Sequence, residues 1–439
     1  MPALNRRQFL HSMLTLPLAL TVAGSTRSFA SAPVTTEFDI SAFDKVLLPR
    51  EHGQLTPLNR SLFRRYPSRE HCMQMAAFFN DRQGVVIIAN DPTAAIADWY
   101  ITPGGKLVLK QFSESAKPFA VKIAPTLNAA AAAYREWAKN QFWSQRATTT
   151  KNKLDFMIVA SSSSTAAESA HINDIRQYIK GPLGVWFTQW RRHPFDRNYP
   201  DYIAKQPREF AELLSVLKQQ KCLSLPYMNS LLWDDQLDNF RSRGSRAAVR
   251  NTDNATQNYN QQLQSLIYAC PGASEWRSAL LAARNAILDA DGERSNGIYL
   301  DMLAAAPPQL CWSDQHGHAP GDPLVWQNGL RELLLQVSGR VMVEGCAEIY
   351  MDLTDYFLMH LYTDQEDAVP LWYAVYGDAI QTMGWKLKAG ITQPEFFSAL
   401  SRASDFGVRA MASPWMTTEP EAQLLRRRLL SPPLPPNIN

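Results

Sequence analysis

Hydrophobic and polar positions change rhythm twice along this chain. Between Phe38 and Lys122, short apolar runs at Cys72–Phe79, Gly84–Ala89 and Lys106–Phe112 alternate with turn residues at Asn80-Asp81, Asn90-Asp91-Pro92 and Pro103-Gly104-Gly105. Strand-length runs punctuated in this way predict a small antiparallel β-domain over residues 33–126. From Leu127 to Trp143 the sequence turns alanine-rich, with Tyr134, Trp137, Ala138 and Phe142 at helical spacing. That stretch predicts a connecting helix within residues 127–150.

From Leu154 the order becomes strand, helix, strand. Apolar runs at Leu154–Ala160, Leu183–Gln189, Leu223–Asn229, Asn296–Asp301, Arg340–Gly345, Tyr356–Leu361, Leu371–Tyr376 and Phe406–Ala412 alternate with helical periodicity at Glu209–Gln219, Trp276–Ala290, Trp326–Val337 and Pro394–Ser404. Parallel strands with helical crossovers are expected from such alternation. The fold class is therefore α/β, with a (β/α)8 TIM barrel over residues 151–420 preceded by the smaller β-domain. Residues 421–439, which include the proline-rich Ser431–Pro436, read as an extended C-terminal tail.

The first thirty residues do not belong to this pattern. Asn5-Arg6-Arg7-Gln8-Phe9-Leu10 is a twin-arginine motif, followed by apolar Leu14–Ala23 and by Ser28-Phe29-Ala30. Residues 1–30 thus predict a twin-arginine signal peptide cut after Ala30, with the twin-arginine export machinery as partner of the precursor and a periplasmic or secreted destination. The apolar run is too short for a stable membrane anchor. Arg6, Arg7 and Arg27 account for the whole formal charge of +3, which leaves equal numbers of basic and acidic side chains, 41 of each. Balanced charge without long basic runs gives no reason to expect nucleic acid as a partner. Five scattered cysteines without a Cys-x-x-Cys pair argue against a structural zinc site, and neither metal nor cofactor is expected.

Two strand ends carry the chemistry. Ser295–Asp301 and Arg340–Glu344 each finish in an acid where a loop begins, and the carboxyl ends of barrel strands form the mouth where catalytic groups sit. Acids on neighbouring strands are the minimum equipment of a glycosidase. Glu348 is an alternative acid/base, set by Gly345 beyond a sharp turn, although its i, i+4, i+7 spacing with Asp352 and Asp355 suits one helix face. Trp190, Arg191 and His193 follow a strand directly and suit a sugar, whose C–H faces stack on rings while its hydroxyls take charged hydrogen bonds. Asp196 in the same loop also reads as a partner for Arg192. Tyr227, Asn229 and Asp234 end the next strand region, and Tyr299 lies two residues before Asp301. His316 and His318 have His-x-His spacing, but they follow no strand end, so a loop over the sugar is the better reading than a metal.

Taken together, Trp190–Asp196, Pro226–Asn229, Tyr299–Asp301, Cys311 with His316-Gly-His318, and Glu344–Glu348 resemble a bacterial barrel family of unknown function similar to endo-α-N-acetylgalactosaminidase-type glycoside hydrolases. The resemblance spans roughly residues 70 to 415. It implies a carbohydrate substrate, Asp301 as nucleophile and Glu344 as acid/base in a retaining mechanism. The chain is shorter than the better-known enzymes and lacks their accessory modules, so polymer specificity does not transfer. A non-catalytic glycan-binding barrel is the alternative.

Overall fold

A computed structural model describes residues 33–412 except 114–118, 146–152, 161–168, 171, 174, 177–178, 260–261, 264, 290–294, 361–364, 386–397, 399–400 and 410. The signal-peptide and tail expectations lie outside the described residues. Nine strands come first: β1 (Val34–Asp39), β2 (Lys45–Leu48), β3 (Gln54–Pro57), β4 (Leu62–Tyr66), β5 (Met75–Phe79), β6 (Gly84–Ile88), β7 (Ala97–Thr102), β8 (Lys106–Gln111) and β9 (Ala120–Ile123). They form two antiparallel sheets, in the orders β1-β8-β7-β4 and β3-β2-β5-β6-β9. The helix α1 (Leu127–Ala138), capped by the Thr126 side chain, leads out of this domain, with a short second helix α2 (Phe142–Gln145) after it.

The remaining strands close a ring. In chain order they are β10 (Phe156–Ala160), β11 (Leu183–Phe187), β12 (Leu223–Asn229), β15 (Gly297–Asp301), β16 (Arg340–Glu344), β17 (Tyr356–His360), β18 (Gln381–Trp385) and the split pair β19 (Val408–Arg409) and β20 (Met411–Ala412), with β13 (Leu232–Asp234) and β14 (Leu266–Tyr268) forming a separate hairpin after β12. Every neighbouring pair in the ring is parallel; β19 pairs with β18 and β20 with β10, so the last strand joins the seventh to the first. Strands such as Phe156–Ala160 and Leu183–Phe187 are buried along their whole length. Near-continuous apolar runs are the expected signature of strands covered on both faces. Helices α3 (Pro207–Gln219), α4 (Ser274–Asp289) and α5 (Val325–Gln336) fall between successive ring strands along the chain.

One expected strand is a helix. Leu371–Tyr376 forms α6, because its buried side chains Leu371, Trp372, Val375 and Tyr376 fall at helical rather than alternating spacing. The seventh barrel strand is instead Gln381–Trp385. Its leading glutamine is polar because its side chain bridges the backbone of Leu154 on both sides, donating to the carbonyl at 2.7 Å and accepting from the amide at 2.8 Å. Phe406 lies before the final strand rather than in it. Of the expected helix Pro394–Ser404, residues 394–397 and 399–400 lie outside the described residues. The chain between Glu344 and β17 makes a short 3-10 turn at Glu348–Tyr350 in place of the longer helix that would have aligned Glu348 with Asp352 and Asp355.

The turn at the end of β16 has no room for a side chain. Gly345 has φ +75, and a Cβ there would lie 2.7 Å from the Ala305 Cα and 2.8 Å from its nitrogen. Gly345→Ala is expected to destabilise the fold by about 2 kcal/mol or more, through left-handed backbone and overlap with the neighbouring strand's loop. A lowered urea midpoint checks this; an unchanged midpoint refutes the close approach.

Candidate active site

Register brings the two acids together. On β12 and β15, Tyr227 pairs with Tyr299 and Asn229 with Asp301; on β15 and β16, Leu300 pairs with Val343, which sets Asp301 and Glu344 level one residue further on. Residues two apart on a strand share a face, so Tyr227, Asn229, Tyr299 and Asp301 all address the barrel mouth. Three donors converge on Asp301: the Tyr227 hydroxyl at 2.9 Å and the Asn229 amide at 3.3 Å on Oδ2, and the Tyr299 hydroxyl at 3.2 Å on Oδ1. The Asn229 amide orientation is fixed, since its Oδ1 accepts the backbone N–H groups of Leu231 and Leu232 at 3.0 and 2.9 Å. Tyr227 gives its proton to Asp301, so Tyr199, 2.7 Å away, donates to Tyr227, and the Asp196 amide in turn donates to Tyr199 at 3.0 Å.

Glu344 is held from the other side. Arg69, in the segment between β4 and β5, contacts its Oε1 at 2.7 Å, and the Met302 amide donates to Oε2 at 2.8 Å. Met302 adopts φ +66, a left-handed conformation costly for a side-chain-bearing residue. The backbone that follows Asp301 is thereby turned toward Glu344. Burial first, and the facing Glu344 second, push the Asp301 carboxyl well above the usual carboxylate range, while the Tyr227 and Tyr299 hydroxyls pull it back.

Both carboxyl groups open into one cavity of about 600 Å³. Its walls are aromatic: Trp186 lies 4.8 Å from the Tyr299 ring, Phe195 4.8 Å from Tyr227, and Tyr259 and Tyr268 meet edge to face at 5.8 Å. Asp196 adds a third carboxyl to the lining; burial raises it, Arg191 lowers it and Glu344 raises it further. Arg192 contacts Asp201 instead of Asp196. Arg69, Trp186, Phe195, Tyr259 and Tyr268 were not singled out by sequence reasoning. Arg69 belongs to the other domain, and the two tyrosines sit on an insertion after β12, where no strand-end signal marks them.

Other candidates have different surroundings. Trp190 is buried behind β12, donating to the Tyr227 carbonyl at 3.0 Å and stacking on Phe210. Arg191 lies over the Tyr199 ring and donates to the carbonyls of Pro194, Arg197 and Asp201; His193 contacts Asp201 at 3.1 Å. Asp234 accepts from the Asn198 amide at 2.7 Å. These four hold the loop that presents Phe195 and Asp196, and none of them lines the cavity. Glu348 is sealed at the seam with the β-domain, accepting from Tyr134 at 2.8 Å, Tyr376 at 2.6 Å and the Gln74 amide at 3.1 Å. It has no path to the cavity and is thus no acid/base for it. His316 and His318 do not cover the cavity either. They meet Cys270 and Cys311, and the four ligand-type atoms lie within 4.8 Å of one another. The cysteine spacing argues against a structural zinc site, yet the fold brings these four side chains together from segments that the spacing keeps apart.

Residues 125–387 match a family described as a domain of unknown function (DUF6259). A Bacteroides thetaiotaomicron protein named "Putative glycoside hydrolase" is 29% identical over 216 residues, 46% of this chain and 31% of that relative. A Monosiga brevicollis protein named "Putative glycoside hydrolase 22789" is 24% identical over 46% of this chain and 19% of its own length. The match therefore spans less than a third of either relative. Among solved structures, the alpha-N-acetylgalactosaminidase NagBb from Bifidobacterium bifidum in its GalNAc complex superposes with a TM-score of 0.64 at 14% identity, over 91% of this chain and 76% of that one. The alpha-galactosidase TtGalA from Thermus thermophilus, in complex with stachyose, gives 0.64 at 11% identity over 92% and 93%. At such identities the likeness is one of fold.

The buried acid at the seam sets a pH dependence. Burial raises Glu348 from its ordinary 4.5 to about 7 against the pull of its hydroxyl partners. The folded chain keeps this proton where the unfolded chain has released it, so the contribution is fully present below about 4.5 and is lost as pH rises toward about 7. Glu348→Gln is expected to flatten the thermal midpoint across that window. A variant whose midpoint falls with pH as steeply as wild type would contradict the assignment.

Proposed function

The chain belongs to the DUF6259 family, and from that premise and its paired strand-end acids we propose that it is a glycoside hydrolase of the retaining type. One observation carries the reading: Asp301 and Glu344, on adjacent strand ends, face each other in a single aromatic-walled cavity, where Glu344 helps raise the Asp301 carboxyl. Two like charges this close favour a state with one proton between them, and one proton is what a retaining double displacement requires. Asp301, with its three aligned donors, attacks the anomeric carbon, and Glu344 protonates the leaving oxygen and later activates water. Burial and the facing Glu344 raise the Asp301 carboxyl, so the nucleophile must be ionised before it attacks. The three donors on Asp301 favour its ionised form ahead of attack, and the proton given up to Glu344 is the one delivered to the leaving oxygen.

The names of the relatives and of the fold neighbours support an α-linked galactose-type sugar as the first substrate class to test. The twin-arginine motif at Arg6-Arg7 supports export of the precursor. The Arg69–Glu344 ion pair also favours a second reading, a glycan-binding barrel whose Glu344 stays paired with Arg69 and never donates a proton.

Aryl α-galactosides and α-N-acetylgalactosaminides, followed by proton NMR, separate these readings. Retained anomeric configuration is expected first; an inverted first product refutes the double displacement. Asp301→Asn is expected to abolish nearly all turnover with the fold intact, and Glu344→Gln to slow it by about 10²- to 10⁴-fold, most for poor leaving groups. Saturable sugar binding with no product from wild type would establish the binding barrel instead.

A further inference from the structure

Outside the cavity, one cluster has the composition and compactness of a metal site. We propose that Cys270, Cys311, His316 and His318 bind a structural zinc ion. The Cys270 Sγ lies 3.3 Å from the His318 Nε2, and the Cys311 Sγ lies 3.3 Å from the His316 Nδ1. All four ligand atoms fall within 4.8 Å of one another. Zn–S bonds of about 2.3 Å and Zn–N bonds of about 2.0–2.1 Å at tetrahedral angles place sulfur and nitrogen about 3.5 Å apart, so the two sulfur–nitrogen contacts need lengthen only slightly, while any pair near the outer limit draws in around the ion. Two thiolates and two imidazoles are the soft, borderline donor set that selects zinc over calcium or magnesium.

The surroundings support ligation. The second nitrogen of His318, Nδ1, lies 2.9 Å from the Ala319 carbonyl. A proton on Nδ1 would leave Nε2 with its lone pair toward Cys270, the arrangement in which a ligating imidazole is oriented by a backbone carbonyl. Cys270, Cys311 and His316 are buried, as a closed four-ligand structural site requires. No single stretch of sequence displays this set, because Cys270 follows β14 whereas the other three lie in the loop beyond β15.

The position gives the ion a task. Tyr268, two residues before Cys270, and Pro307, four before Cys311, both line the cavity. A zinc joining their segments fixes the aromatic insertion against the loop that follows Asp301. This role is independent of whether the carboxyl pair is catalytic.

The test uses the full chain purified without chelators, and reads zinc rather than activity. Elemental analysis is expected to find about one zinc per chain, retained through gel filtration, and absorption spectroscopy at the zinc edge to find two sulfur and two nitrogen neighbours. Cys270→Ser and His318→Ala should each lose the metal, while Cys222→Ser, remote from the cluster, should keep it. The edge measurement on wild type stands even where a variant fails to fold. Folded protein without zinc whose Cys270 and Cys311 are joined in a disulfide, shown by thiol titration and peptide mapping, would overturn the proposal. So would zinc that survives in the Cys270→Ser, His318→Ala double variant.

Discussion

Two carboxyl groups brought face to face inside a protein repel each other, and the arrangement of this site follows from managing that repulsion. A parallel barrel sets the ends of adjacent strands level, so acids at the ends of β15 and β16 are forced into proximity. Three neutral donors surround Asp301, while a cation and a backbone amide hold Glu344. The two members therefore sit in chemically different environments despite their shared cavity. Unequal surroundings are what allow a pair of identical functional groups to take different roles.

The β-domain is part of this arrangement rather than an appendage. Its segment after β4 supplies Arg69, whose amide also donates to the Ala305 carbonyl at 3.1 Å, just beyond Asp301. A few residues on, the Cys72 carbonyl accepts from the Glu348 amide at 3.2 Å, and Gln74 donates to the buried Glu348 carboxyl. A single apolar core runs from the β-domain through α1 into the barrel. The seam thus combines apolar packing with a satisfied buried acid, and it fixes the position of the cation at the mouth.

Much of the barrel was legible because its strands are buried on both faces and read as plain apolar runs; Leu223–Asn229 and the ends of β15 and β16 are found where those runs stop. Leu371–Tyr376, an apolar run expected as a strand, is a helix whose buried positions recur at helical spacing. Gln381–Trp385 was invisible because its polar residue serves backbone groups that only the fold brings near. At the site, Asp301, Glu344, Tyr227, Asn229 and Tyr299 were legible from strand ends. Trp190, Arg191 and His193 have the residue types of a sugar site, but Trp190 spends its N–H on the Tyr227 carbonyl of β12 and the other two spend their polar atoms on their own loop. Arg69, Tyr259, Tyr268 and the cysteine–histidine cluster depend on contacts between distant segments, which no local pattern reports.

The carboxyl pair stands on barrel strands, whereas Tyr259 and Tyr268 stand on an insertion between the third and fourth of them. The carboxyl floor and the tyrosine ceiling of the cavity are in this sense separate parts. Exchange of the insertion can reshape the roof of the chamber while the geometry beneath it stays put.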